Sequence, residues 1–348
     1  MRFHLNRERC GENTLAHLNN CLPCLVQSRK LLHSQTDIRT NGAVMLQYDR
    51  SKILGNGTFA TVFWGTWNGE AVAVKRIEMH KLNKRFKDRE EVAMRQMDHQ
   101  NVLKLKEVQE NMDFKLLVLE LCIGTVRNYV NDVNDEKMFN QKMPNEVEAL
   151  IQMTNGLAYI HSQHFVHRDI KPENVLISSS YVLKISDFGV SKPTQPTGSF
   201  SVTSGPQGTK TYFAPEYLRL EHQESEERKN IKADKSIDIF SLGCLFFTYI
   251  MRKGPYAHLF ATPGMQFNSK ENYDIDVTNN ILKDKKFLEK NGLSKGHYAF
   301  KMIDGMTKAK SKDRWGLDEK KFGSNSQTVI ETLKLEQRRQ NGPKQTVV

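Results

Sequence analysis

Two short segments hold most of the residues able to do chemistry. The first is His167-Arg168-Asp169-Ile170-Lys171-Pro172-Glu173-Asn174, and the second is Ile185-Ser186-Asp187-Phe188-Gly189. Asp169 is a carboxylate that can accept a hydrogen bond from an attacking hydroxyl and orient it. Lys171, two residues on, is a compact cation able to offset charge on a phosphoryl group in transit. Asn174 and Asp187 offer hard oxygens suited to Mg²⁺, an ion that bridges phosphates rather than sitting in an all-protein cage. An orienting carboxylate, a nearby cation and two hard oxygens are parts that metal-assisted group transfer to a hydroxyl could use.

A third constellation lies upstream. Gly55-Asn56-Gly57-Thr58-Phe59-Ala60 falls between two strand-like runs, and Lys75 ends the run Ala71-Val72-Ala73-Val74-Lys75. A bare glycine backbone can lie over phosphates and turn its N–H groups to their oxygens. Lys75 is placed to put a point charge on the α/β-phosphates. Such a flexible lysine needs a carboxylate to hold it, for which Glu90 is the candidate and Glu91 the alternative. A lone glycine motif says little, so weight rests on the two downstream segments.

The elements that must position these residues follow from periodicity. Strands are expected over Tyr48 to Leu54, Thr61 to Trp64, Ala71 to Lys75, Val102 to Val108 and Lys115 to Leu121, with a hairpin turn at Asn68-Gly69. Arg85 to Met97 reads as a helix with Phe86, Val92, Ala93 and Met97 as its apolar stripe. After Cys122 the texture turns helical. Asn145 to His161 has a core-facing spacing, and Phe240 to Met251 is apolar all round, as a buried helix would be.

The 348 residues carry a formal charge of +11, which suggests acidic partners. Much of the excess lies between Lys75 and Lys106, where Lys81, Lys84, Arg85, Lys87 and Arg89 crowd together without interleaved aromatics, so a solvated helix face is the reading and nucleic acid is not expected. No signal peptide is seen, and the apolar run Phe240 to Met251 is too short to span a bilayer, which implies a cytoplasmic protein without a membrane span. Five cysteines fit a reducing compartment. Cys10, Cys21 and Cys24 stand near His4, His17 and His33, but they lack the spacing of a zinc site.

The two downstream segments are the catalytic and metal-binding signatures of protein kinases. Residues from about 48 to 316 resemble the eukaryotic protein kinase fold, an α+β bilobal arrangement of a small β-rich lobe and a larger helical one. Four stretches look like the kinase half of the inositol-requiring kinase/endoribonuclease of the unfolded-protein response: Leu119 to Cys122, Gly156 to Ser162, Ser199 to Thr209 and Asp238 to Cys244.

The resemblance implies further roles. Leu54, Gly55, Gly57, Val62, Ala73 and Leu176 would contact ATP, with Leu119 as gatekeeper and Glu120 and Cys122 at the hinge. Lys171 with Thr209 points to serine or threonine as acceptor, and Arg168 to an activation loop ordered by phosphate. Ser199, Ser201 and Ser204 match phosphorylated positions, Glu216 would pair with Arg314, and Asp238 would anchor the catalytic loop. Protein substrates and a homodimer for trans-autophosphorylation are the implied partners.

The expected organisation is an extension over 1–46, an N-lobe over 47–122, a C-lobe over 123–322 with a divergent segment 257–297, and a tail over 323–348. Two departures stand out. Ala60 replaces a third glycine, and Arg314-Trp315 stands where Arg-Pro is usual, so a shortened, less stable end of the C-lobe is expected. No room is seen for the relatives' membrane span, lumenal sensor or ribonuclease domain. The alternative to an active kinase is a pseudokinase-like ATP-binding scaffold for a related kinase.

Overall fold

The computed structural model describes residues 35–40, 43–57, 60–81, 88–131, 139, 142–202, 205–220, 232–257, 279, 281, 287–317 and 328–342. The Cys/His segment before residue 35, Ser204 and most of 257–297 therefore lie outside the described residues, as do Phe86 and its basic neighbours. The chain divides into two compact units, 1–84 with 105–123 and 85–104 with 124–348.

The first unit is a six-stranded antiparallel sheet. Its strands are β1 (Gln35–Thr40), β2 (Ala43–Asn56), β3 (Ala60–Trp67), β4 (Glu70–Glu78), β5 (Leu105–Glu110) and β6 (Phe114–Glu120), ordered β1-β2-β3-β4-β6-β5. Asn68 and Gly69 link β3 to β4 with φ of 48° and 82°, the left-handed pair that a two-residue type I′ turn demands. The register that follows stacks Tyr48 opposite Gly65, Phe63 opposite Val74 and Val74 opposite Val118. With Leu46, Val72 and Leu116 these residues form one buried face, where the Tyr48 and Phe63 rings lie 5.4 Å apart. The period-2 apolar pattern produces this face directly.

Two boundaries differ from the sequence reading. Residues 35–40 and 43–46, expected in a loosely ordered extension, form β1 and the start of β2. Val102 to Lys104 do not join β5, because Leu103 N–H and Asn101 C=O bond instead to the backbone of Ile185. The same stretch donates from Asp98 N to the Tyr159 hydroxyl at 3.0 Å. These bonds place the helix α1 (Arg89–Arg95) in the second unit rather than with the sheet. On α1 the buried stripe uses Glu90, Ala93 and Met94, whereas Val92 is exposed.

The second unit continues with α2 (Val126–Asn131) and α3 (Glu146–Ser162). Asn145 caps α3 by accepting from Glu148 N at 2.9 Å, and Val147, Leu150, Thr154 and Leu157 are buried as their spacing requires. The central helix α4 (Ser236–Met251) is buried along nearly its whole length. Gly243 lets the helix α5 (Tyr298–Met306) approach closely, since a Cβ there would meet Thr307 Cγ2 at 2.8 Å. Among the described residues no helix is long and apolar enough to cross a membrane.

The expected weak end of the chain is packed instead. Trp315 is buried, and Val329 and Leu333 sink one face of α6 (Val329–Asn341), within the stretch expected to be a tail. Thr328 Oγ1 accepts from Glu331 N at 3.2 Å and donates to Glu331 Oε2 at 2.8 Å, an N-cap that starts the helix. Gln337 then bonds Glu148 of α3 at 2.9 Å.

Gly305 makes room for Trp315: a Cβ at 305 would lie 2.2 Å from the indole Nε1. Gly305→Ala should therefore destabilise the chain by about 1–3 kcal/mol through overpacking, read as a lowered thermal midpoint. An unchanged midpoint would show that the indole moves aside freely.

Candidate active site

The short strands β7 (Phe165–Val166), β8 (Val175–Ser178) and β9 (Leu183–Ile185) frame the segment from His167 to Asn174 and deliver Asp187 just beyond β9. Arg168 and Asp187 both hold left-handed backbone, with φ of 69° and 65°. Non-glycine residues in that region carry strain that surrounding contacts must offset. For Arg168 the source of the constraint is Asp238, fully buried at the start of α4. Its Oδ2 accepts from His167 N and its Oδ1 from Arg168 N, both at 2.8 Å, while His161 Nε2 lies 2.9 Å from Oδ2. Burial alone would push the Asp238 carboxyl upward; the His161 hydrogen bond and the neighbouring His167 outweigh it and hold it below its ordinary value.

On that backbone four predicted residues meet. Asp169 Oδ2 lies 2.7 Å from Lys171 Nζ and accepts from Asn174 Nδ2 at 2.8 Å. Its Oδ1 accepts from Thr209 N at 3.0 Å, and Lys171 Nζ donates to Thr209 Oγ1 at 2.8 Å. Asn174 spends its amide nitrogen on Asp169, donating also to the Asp169 carbonyl at 2.9 Å. That orientation reserves the amide oxygen for a hard cation. The donor set of Asn174 and Asp187 therefore fits a phosphate-bridging divalent ion.

Gly208 permits the approach of Thr209, and sequence reasoning did not single it out. At its φ of 125° an added Cβ would stand 2.6 Å from the Arg168 carbonyl and 3.0 Å from Asp169 Oδ1. Only the packed neighbours reveal that requirement. His161 and His167 were likewise missed as supports, though His167 stacks edge-on to Phe188 at 5.2 Å and reaches the Ser186 carbonyl at 2.9 Å.

Within the same unit Glu90 is buried on α1, with its Oε2 3.9 Å from where a Gly189 Cβ would be. Glu91, the alternative, pairs with Arg95 at 2.8 Å along the helix. Leu176 lies on β8. Ser199 and Ser201 lie on β11 (Ser199–Ser201), after β10 (Lys192–Pro193), and β11 pairs antiparallel with β12 (Lys232–Asp234). Phe200 and Val202 are buried between and beside them. Lys192 donates to the Ser201 carbonyl, and Arg168 sits 5.9 Å from the Phe200 ring. Burial, then the nearby Arg168 and Arg89 charges, push Lys192 below its ordinary value; Arg89 is lowered by burial and then by Arg168.

The remaining candidates belong to the first unit. Leu54 and Gly55 lie near the end of β2, just before Asn56, and Gly57 N donates to Ala60 C=O at 2.8 Å. Val62 pairs with Lys75 and Ala73 with Leu119 across neighbouring strands, which puts all four on one sheet face. Glu120 ends β6, and Cys122 follows it.

The far anchor is also formed as expected. Arg314 is fully buried and grips Glu216 with two bonds of 2.6 Å, Nη1 to Oε1 and Nη2 to Oε2. Its other N–H groups reach Lys308 O at 2.8 Å, Ser236 O at 3.0 Å and Ala309 O at 3.2 Å. Bidentate pairing of this kind needs the planar guanidinium fork.

Comparison with known proteins gives one family and several relatives. The protein kinase domain family matches residues 48–321, most of the chain. The chain is 36% identical over 224 residues to the serine/threonine-protein kinase/endoribonuclease ire-1 of Caenorhabditis elegans, covering 61% of this chain and 21% of that protein. It is 35% identical over 220 residues to the human serine/threonine-protein kinase/endoribonuclease IRE2, covering 61% and 22%. To the serine/threonine-protein kinase cds1 of Schizosaccharomyces pombe it is 32% identical over 245 residues, covering 66% and 50%. The chain thus spans between a fifth and a half of the length of these relatives.

Asp238→Asn should cost about 3–5 kcal/mol at neutral pH, because it breaks a buried, charge-assisted cluster. A carboxyl held low when folded contributes stability above its unfolded value, near the ordinary 3.8, and loses it as pH falls through the folded one. Unfolding measured from pH 7 downward should show the wild type and variant differing most at neutral pH and converging in acid. A gap that stays constant to pH 3 would refute the charge-based account.

Proposed function

The chain belongs to the protein kinase family, and from that premise we propose that it transfers the γ-phosphate of ATP to serine or threonine hydroxyls. The observation that carries this reading is the bonding of Asp169, Lys171, Asn174 and Thr209 into one cluster. Asp169 is already fixed by three donors, so an entering hydroxyl meets a preoriented acceptor. Lys171 is tethered between Asp169 and Thr209, near the oxygen it would relieve as charge develops. Mg²⁺ held by Asn174 and Asp187 would supply charge neutralisation across the phosphates. By the family pattern, Lys75 would hold the α/β-phosphates, and Leu54, Gly55, Gly57, Val62, Ala73, Leu119, Glu120 and Cys122 of the first unit would contact the nucleotide. The alternative, a nucleotide-binding scaffold without turnover, shares all the nucleotide contacts and differs only at transfer.

The test is incubation of the purified chain with Mg²⁺ and labelled ATP beside an Asp187→Asn variant. Label should appear on the wild type or on a generic protein substrate, and fall by at least about a hundredfold in the variant. ATP that raises the melting temperature while neither protein transfers label would favour the scaffold.

The same reading extends to regulation of the activation segment by its own activity. Lys192 bonds the Ser201 carbonyl, Arg168 lies by the Phe200 ring and Arg89 is close enough to repel both cations, a repulsion that a phosphate would relieve. β11 pins Ser199 and Ser201 to β12, which makes a second copy of the chain the expected phosphate donor. Changing Ser199, Ser201 and Ser204 together to Ala should cut kcat/KM by roughly tenfold through lost loop ordering, a loss of about 1.4 kcal/mol. Unchanged kinetics in that variant would remove the phosphate switch.

A further inference from the structure

The acceptor hydroxyl must reach Asp169, so the residues flanking it in a protein substrate pass over whatever surrounds that carboxylate. The described contacts close a ring around it. Asp169 Oδ1 accepts from Thr209 N, Tyr212 N donates to Thr209 O at 3.0 Å, and the Tyr212 hydroxyl lies 3.5 Å from Arg127 Nη2. Arg127 Nε donates to Glu173 Oε1 at 2.8 Å, and the next residue, Asn174, returns to Asp169. Glu173 is the exposed carboxylate of this rim, with 45% of its side chain accessible, and Arg127 retains 30%.

An exposed carboxylate beside an acceptor site is where a basic substrate side chain would be recognised, by Coulomb attraction and a forked hydrogen bond. Here that position already has a guanidinium on it, supplied by α2 of the same chain. We propose that Arg127 is a specificity-determining residue that occupies the cation subsite on Glu173, so that the chain accepts Ser/Thr peptides without selecting an Arg or Lys beside the acceptor. The proposal rests on the kinase reading above, since it presumes that a peptide hydroxyl enters at Asp169. The screening is competitive: an incoming cation must displace Arg127 and gains little, whereas removal of Arg127 uncovers the charge.

The experiment scans a Ser-containing peptide, replacing each of the three residues on either side of the serine by Arg or by Ala. Peptide Kd is measured by fluorescence anisotropy and kcat/KM by phosphate transfer, for the wild type, Arg127→Ala and Arg127→Ala with Glu173→Gln. The wild type should discriminate Arg from Ala less than about twofold at every position. Arg127→Ala should gain a preference for Arg of roughly two- to fivefold at one position, weakened by salt and absent from the double variant. A wild type that already prefers Arg at one position would overturn the proposal. So would peptides that bind Arg127→Ala with a flat profile. Peptide binding with the predicted profile but no phosphate transfer would sink the proposed catalytic function while leaving the subsite assignment standing. Absence of peptide binding to any of the three proteins would overturn both.

Discussion

Asp238 has no exposed surface, and a carboxylate so placed stays ionised only if nearby donors replace the water it has lost. Two of those donors are successive backbone N–H groups, of His167 and Arg168. Gathering both onto one carboxylate dictates the turn of the chain there and helps hold Arg168 at positive φ. The cost of that conformation, about 1–3 kcal/mol, is offset inside the core rather than at the surface. Once Arg168 is turned, Asp169 and Lys171 emerge on one side while the Arg168 guanidinium runs to the Val190 carbonyl at 2.6 Å and toward Gln207 and Tyr217. A charge that never touches a substrate thereby orders the residues that can.

A second buried charge does similar service farther out. Arg314 satisfies its guanidinium with Glu216 and three backbone carbonyls drawn from 236, 308 and 309. It therefore ties α4 and the segment after α5 to the residues that close the activation segment. Trp315 beside it fills the space left by Gly305, which turns the departure from the usual Arg-Pro into a packed contact. The helix α6 then covers α3 through buried Val329 and Leu333, so the unit ends in a core contact.

The signals that were legible in the sequence are those with short-range causes. Asn68-Gly69 determines its turn, the alternation from Val72 to Lys75 gives its strand, and the cap at Asn145 starts α3. Asp169, Lys171 and Asn174 were readable because they stand together in one short segment. What escaped depends on distant neighbours. Nothing local to Gly208 says that Asp169 and Phe213 press on it, and nothing near Asn101 says that Ile185 competes for the backbone of 101–103. Val92 was placed in a buried stripe because periodicity alone cannot say which side of a two-turn helix faces the core. The helix α6 was missed for a different reason: its Thr328-x-x-Glu331 cap signal was present, but the polar composition of 323–348 concealed it.

Net charge proved least informative until the charges had positions. The excess of +11 suggests acidic partners without saying where they would bind. Beyond Lys171, which pairs with Asp169 itself, two unlike arrangements of cations stand out. Lys192, Arg89 and Arg168 share a partly buried region in which each raises the cost of the others, so a nearby anion would lower the energy of the whole group. Arg127 is instead matched to Glu173 at the surface, where solvent screens both and the pair contributes about 1 kcal/mol at most. In the first arrangement the repulsion is only partly screened, so an added anion would lower it; the second is nearly neutral in stability. Burial, rather than the count of charges, decides how strongly a basic residue here responds to a nearby charge.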